Sequence, residues 1–225
     1  MPENNVFDIR DFGADCDKKD NAIKVGTETT YDISDINISH CKLFMTDLYP
    51  GCVSGISLEA CDGSVLSNIN IENIEMNRCT CPIFIRLANR NRASEVTAVS
   101  ANAIEFGGKE ANDSKIGKKL FDGRSRVRDI RISDVTAKGV EIPVIIAGYK
   151  QRAKINRVEN VELNNITLDY ADISETVDKR AFIPEYAKEY PEGWRFRNLP
   201  AYGLWIRHAA NIRLNNFVCN HPQST

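Results

Sequence analysis

One short pattern returns five times along the chain, and it restricts the fold more than any other feature. Each copy runs from a small polar residue through alternating aliphatic and polar positions to a second polar corner. The copies are Asp35-Ile-Asn-Ile-Ser-His40, Asn68-Ile-Asn-Ile-Glu-Asn73, Asp129-Ile-Arg-Ile-Ser-Asp134, Asn160-Val-Glu-Leu-Asn-Asn165 and Asn211-Ile-Arg-Leu-Asn-Asn216. Alternation with a period of two puts the aliphatics on one face of a strand and the polar groups on the other. From Ile36 to Ile69 is 33 residues and from Ile130 to Val161 is 31, whereas the gaps from Ile69 to Ile130 and from Val161 to Ile212 are 61 and 51. The wider gaps leave room for inserted loops.

A second set of strand-like segments lies among the copies: Ala22-Ile-Lys-Val-Gly26, Gly55-Ile-Ser-Leu-Glu59, Pro82-Ile-Phe-Ile-Arg86, Pro143-Val-Ile-Ile-Ala147 and Gly203-Leu-Trp-Ile-Arg207. Two strands per repeat, joined by Asn, Asp and Gly and with almost no helical periodicity, describe the coils of a β-solenoid. Asn and Asp suit its corners because they tolerate left-handed backbone and bond neighbouring amides. A β-sandwich would need hairpin turns between adjacent strands, and the sequence offers almost none. The expected fold is therefore all-β, a right-handed parallel β-helix forming one domain over residues 1–225. Residues 1–20 form its opening strand and a junction. Residues 88–126, rich in charge, Ala and Gly, and residues 171–201, with Pro184, Pro191 and Pro200 among aromatics, read as loops leaving the stack.

Composition narrows the partners. With 29 basic and 31 acidic residues the net charge is -2, which gives no field for nucleic acid. No apolar run has the length of a membrane span, and the start, Met1-Pro-Glu-Asn-Asn, lacks the basic and apolar regions of a signal peptide, so localisation is unassigned. The seven cysteines are read mostly as small buried hydrophobes. His40 stands at a corner that other repeats fill with Asn or Asp, and no histidine–carboxylate cluster has metal-ligand spacing.

If the aliphatics of the second strand set point inward, the residues between them make outward columns. One column reads Lys24, Ser57, Phe84, Ile145 and Trp205, and the next reads Gly26, Glu59, Arg86, Ala147 and Arg207. A carboxylate, guanidinium groups and an exposed aromatic are what a sugar polymer needs, for hydrogen bonds to hydroxyls or carboxylates and for stacking on a ring face. The same residues would equally make a solvated ladder of ion pairs. His208, at the end of the Trp205 strand, faces either a ligand or its own loop.

Family motifs add a second line of reasoning. Val6-Phe-Asp-Ile-Arg-Asp-Phe-Gly-Ala14 resembles the opening strand of the pectate lyase and polygalacturonase superfamily. Ile23-Lys-Val-Gly-Thr-Glu-Thr29, Gly55-Ile-Ser-Leu-Glu-Ala60, Pro82-Ile-Phe-Ile-Arg-Leu-Ala-Asn-Arg90 and Leu199-Pro-Ala-Tyr-Gly-Leu-Trp-Ile-Arg-His208 are similar to the C-terminal half of bacterial proteins in glycoside hydrolase family 28. The resemblance implies inverting hydrolysis of pectic polysaccharide, with no metal or organic cofactor, in relatives that are commonly exported. With pectic carbohydrate as the expected partner, the outward columns and the ends of their strands give Lys24, Glu59, Arg86, Arg90, Trp205, Arg207 and His208 as the residues to meet it.

The resemblance breaks where the chemistry should be. Inversion needs one carboxylic acid and one carboxylate about 6.5–9.5 Å apart. The family's Asn-Thr-Asp and Gly-Asp-Asp motifs are absent, as though an internal segment were lost between Ala14 and Ala22, leaving Asp17, Asp20 and Glu59 as weak catalytic candidates. Its Gly-His-Gly histidine is missing near Asn21, and Ser57, Leu58 and Glu59 replace the Arg-Ile-Lys that holds a galacturonate carboxylate. A neutral or branched pectic sugar is then expected, with Arg86 and Arg90 left to meet an acidic residue. The competing readings are a non-catalytic carbohydrate-binding β-helix or truncated pseudoenzyme, and a pectate lyase, for which no acidic calcium site is visible. If residues 1–20 leave the first coil uncovered, Ile23 and Val25 would drive self-association.

Overall fold

The computed structural model describes residues 21–29, 31–44, 52–90, 125–171, 180, 182–196 and 199–221. Its strands are β1 (Ile23–Val25), β2 (Ile33–Phe44), β3 (Cys52–Ala60), β4 (Val65–Asn77), β5 (Cys79–Leu87), β6 (Arg126–Val140), β7 (Val144–Ala147), β8 (Tyr149–Gln151), β9 (Lys154–Asn156), β10 (Val158–Tyr170), β11 (Leu204–Arg207) and β12 (Ala209–Asn220). Among the described residues the helical structure is a single 3-10 turn at Gly193–Phe196. Two five-stranded parallel sheets carry the architecture. The first is ordered β1-β3-β5-β7-β11 and the second β12-β10-β6-β4-β2, so the chain visits the sheets alternately.

The repeat pattern sets the register of the second sheet. The first aliphatics of the five copies, Ile36, Ile69, Ile130, Val161 and Ile212, stand side by side, as do Ile38, Ile71, Ile132, Leu163 and Leu214. In the first sheet Val25, Leu58, Ile85, Ile146 and Ile206 form the matching row. These rows meet in one core between the sheets. Each buried aliphatic contributes about 1.5–3 kcal/mol, but only when neighbouring strands cover it. Coverage fails at β11 and β12, where Ile206 and Leu214 are 41% and 46% exposed.

The polar corners have a backbone reason. Both flanking residues of every copy take positive φ: Asp35 and His40, Asn68 and Asn73, Asp129 and Asp134, Asn160 and Asn165, and Asn211 and Asn216 all lie between 51° and 61°. The left-handed conformation costs most side chains about 1–2 kcal/mol per residue and is tolerated best by Asn and Asp. It bends each long strand twice, which lets a continuous ladder wrap the core. The side chains also bond from strand to strand. Asn160 Nδ2 donates to Asp129 Oδ1 at 2.7 Å and Asn211 Nδ2 to Asn160 Oδ1 at 3.0 Å, while Asn165 donates to Asp134 and Asn216 to Asn165.

One hairpin is present among the described residues: β8 and β9 pair antiparallel, with Tyr149 opposite Asn156 and Gln151 opposite Lys154. The turn carries Arg152 at φ 55° instead of the Gly or Asn such turns favour, which is why the sequence did not reveal it. Of the segment 171–201, expected to loop away, residues 182–196 and 199–201 instead lie across the outer face of the first sheet as a strap, and Phe196 and Leu199 are buried with Phe84, Ile145 and Cys81 in a second core. The 88–126 loop lies almost wholly outside the described residues, as do residues 1–20.

Candidate functional site

The outer face of the first sheet gathers the expected site, and register alone brings its members together. Lys24 pairs with Ser57, Ser57 with Phe84, Phe84 with Ile145, and Ile145 with Trp205. In the next column Glu59 stands opposite Arg86, Arg86 opposite Ala147, and Ala147 opposite Arg207. The columns are as the alternation predicts, but the strap seals them. Glu59 and Arg86 have no exposed surface and Trp205 is largely buried.

Although Glu59 and Arg86 are register partners, each turns to other groups. The Glu59 carboxylate accepts from Thr27 Oγ1 and from Ser57 Oγ at 2.5 Å, and lies 3.4 Å from Lys24 Nζ. Burial pushes this carboxyl above its usual range, outweighing the pull of Lys24, Ser57 and Thr27 in the other direction. For Lys24, burial is the largest single influence and lowers it, but Glu59 and Tyr190 together hold the ammonium above its ordinary value. Arg86 donates to the carbonyls of Ala147 at 3.3 Å, Gly148 at 2.8 Å and Glu185 at 2.5 Å. Burial, with Arg207 adding like charge, lowers the Arg86 guanidinium to about 10.

Arg207 completes a clamp on the strap. Its Nη1 and Nη2 donate to the carbonyls of Ile183 and Pro184, both at 2.7 Å. His208 Nε2 lies 3.0 Å from Glu185 Oε1, and Glu185 Oε2 accepts from the Lys150 amide at 2.9 Å. Burial alone would raise the Glu185 carboxyl, but the Lys150 amide, His208 and Arg207 hold it below its usual value. The Nε atoms of Arg86 and Arg207 are buried and find no acceptor among the described residues. Phe196 packs 6.0 Å from Phe84, 5.3 Å from Tyr186 and 5.4 Å from Trp205, ring centre to ring centre, and Arg86 lies over its ring at 5.4 Å.

What remains open to solvent is the rim near β1. Tyr190 is 40% exposed and lies between two cations, with Lys24 Nζ 4.9 Å and the Arg90 guanidinium 5.2 Å from its ring centre. Arg90 makes a two-pronged pair with Asp62 and reaches Glu28 at 3.3 Å. Trp194, also well exposed, donates to Glu192 and carries Arg195 over its ring at 4.8 Å. Sequence reasoning missed Glu185, Tyr190, Trp194 and Phe196. The aromatic and proline content of 171–201 marked the segment, but not the direction in which it folds.

Asp17 and Asp20 lie outside the described residues. Among the described residues no group of three His, Cys, Asp or Glu side chains is placed to hold a metal ion, and no helix is long and apolar enough to cross a membrane. No family model, curated protein or solved structure matches the chain.

Proposed function

We propose that the chain is a right-handed parallel β-helix of the pectin-degrading hydrolase type, and that it holds pectic carbohydrate at the rim of its first sheet without cutting it. Right-handedness is supported by the general rule that a chain crossing between parallel strands of one sheet does so with that hand. The observation that carries the functional reading is the pair of exposed aromatics above a sealed Glu59: Tyr190, which lies between Lys24 and Arg90, and Trp194, which bonds Glu192 and carries Arg195 over its ring. Aromatic rings offer sugars a stacking surface while the charged groups bond hydroxyls. A sealed carboxyl cannot deliver a proton to a glycosidic oxygen, which must lie within hydrogen-bond reach. Calorimetric titration with rhamnogalacturonan oligosaccharides, followed by a reducing-end assay, tests the reading. Binding without new reducing ends is expected, and absence of binding overturns it.

Hydrolysis is the second reading, and the raised Glu59 carboxyl favours it, because a general acid must hold its proton near neutral pH. The strap would have to lift for Glu59 to meet substrate. Under this reading Glu59→Gln or Asp20→Ala abolishes release of reducing ends from rhamnogalacturonan, and unchanged release in both variants dismisses these residues.

A further inference from the structure

The β8–β9 hairpin builds a second groove, of mixed polar and apolar lining, whose hairpin residues lie outside the family motifs. Because strand side chains alternate, Tyr149 and Gln151 share one face with their partners Asn156 and Lys154. That face, together with Asn89 beyond β5 and Arg152 at the turn, lines an open groove of about 610 Å³. The size falls within the range of roughly 300–1,000 Å³ typical of small-molecule sites.

Its chemistry is one-sided. Between Glu141 and Glu159 the chain has no carboxylate and four cations, Lys150, Arg152, Lys154 and Arg157, all of them exposed. The acid that reaches β8, Glu185, is engaged by the Lys150 amide and by His208. The groove itself is lined by two cations, three amides and a phenol, with no acid. A planar guanidinium beside an ammonium selects a carboxylate, and amides that both donate and accept suit vicinal hydroxyls. The groove also adjoins the strap, since the Asn89 backbone N–H donates to the Ala187 carbonyl at 2.9 Å.

We propose that the hairpin groove binds an acidic sugar, with Arg152 and Lys154 holding its carboxylate and Asn89, Gln151 and Asn156 its hydroxyls. The choice of a uronate as the acid rests on the pectic reading above, whereas the preference for an anionic polyol rests on the groove alone. It supplies a carboxylate-binding pair at a place different from the missing Arg-Ile-Lys motif.

Titration with trigalacturonate tests this. Replacing Arg152 and Lys154 together by Ala, at exposed positions where the melting temperature reports any loss of fold, weakens binding at least about tenfold. Removing two charges from the other sheet, with Lys42→Ala and Arg213→Ala, leaves affinity within about twofold, because well-exposed distant charges are screened. Equal affinity for the methyl-esterified trisaccharide, equal competition by inorganic phosphate, or undiminished binding by the hairpin variant each overturns the proposal. The rim site is judged separately, with a neutral oligosaccharide and Trp194→Ala, so either site can fail alone.

Discussion

Phe196→Ala removes the residue on which the strap rests, and its cost can be worked from its neighbours. The ring is 2% exposed and packs against Phe84, Tyr186, Trp205 and the Arg86 guanidinium. Truncating a buried Phe costs about 3–5 kcal/mol, from lost transfer energy and the cavity left behind. The three charge-assisted bonds from Arg86 and Arg207 to the carbonyls of Ile183, Pro184 and Glu185 keep one end of the strap attached. The loss should therefore fall first on the strap. In a Trp194→Phe background, Trp205 is the lone indole, and urea unfolding followed by its fluorescence reports the strap. With a slope of about 2–3 kcal/mol per molar, the midpoint drops by about 1–2 M. Acrylamide then quenches Trp205 before the transition begins. A loss under about 1 kcal/mol with unchanged quenching would refute the claim that this cluster seals the face.

The remaining predictions concern pH, corners and the hairpin. Glu59 titrates above its unfolded value, so its contribution is full below the ordinary glutamate value and is lost as pH rises through the folded one. Glu185 titrates below its unfolded value, so its contribution is present at neutral pH and lost as pH falls. Urea midpoints from about pH 4 to 7 should show the stability difference between the parent and Glu59→Gln shrinking as pH rises, while that for Glu185→Gln grows; parallel profiles would contradict both. Asn165→Ala should cost about 1–2 kcal/mol by calorimetry, through left-handed strain and lost ladder bonds, and Asn165→Gly, free of the strain, about half of that. Gly148→Ala places a methyl against the carbonyls of Asn156 and His208 and should cost about 1–3 kcal/mol, with faster amide exchange in β8 and β9.

The sequence reveals the repeat and its register because both depend on period two and on left-handed corners. The paired positions Asp129 and Asp134, or Asn160 and Asn165, identify the bends by residue type alone. The columns through Glu59 and Trp205 follow from the same alternation. Alternation does not say what covers a face, and here a segment distant in sequence does so. A signal existed: Phe84 and Ile145 are apolar residues in an outward column, a pattern expected of a face buried on both sides. Read that way, Arg86 becomes a clamp for backbone carbonyls. The hairpin groove stayed hidden because Gln151-Arg-Ala-Lys154 lacks turn chemistry.

The most direct test of the central claim is saturation-transfer NMR on the protein with a rhamnogalacturonan oligosaccharide, read again after a day in the same tube. Transfer to the sugar ring protons, weakened by Trp194→Ala, is expected, with anomeric signals that do not change. Absence of transfer would contradict the carbohydrate site, and new reducing-end anomeric signals would contradict the claim that the sealed Glu59 does not cut.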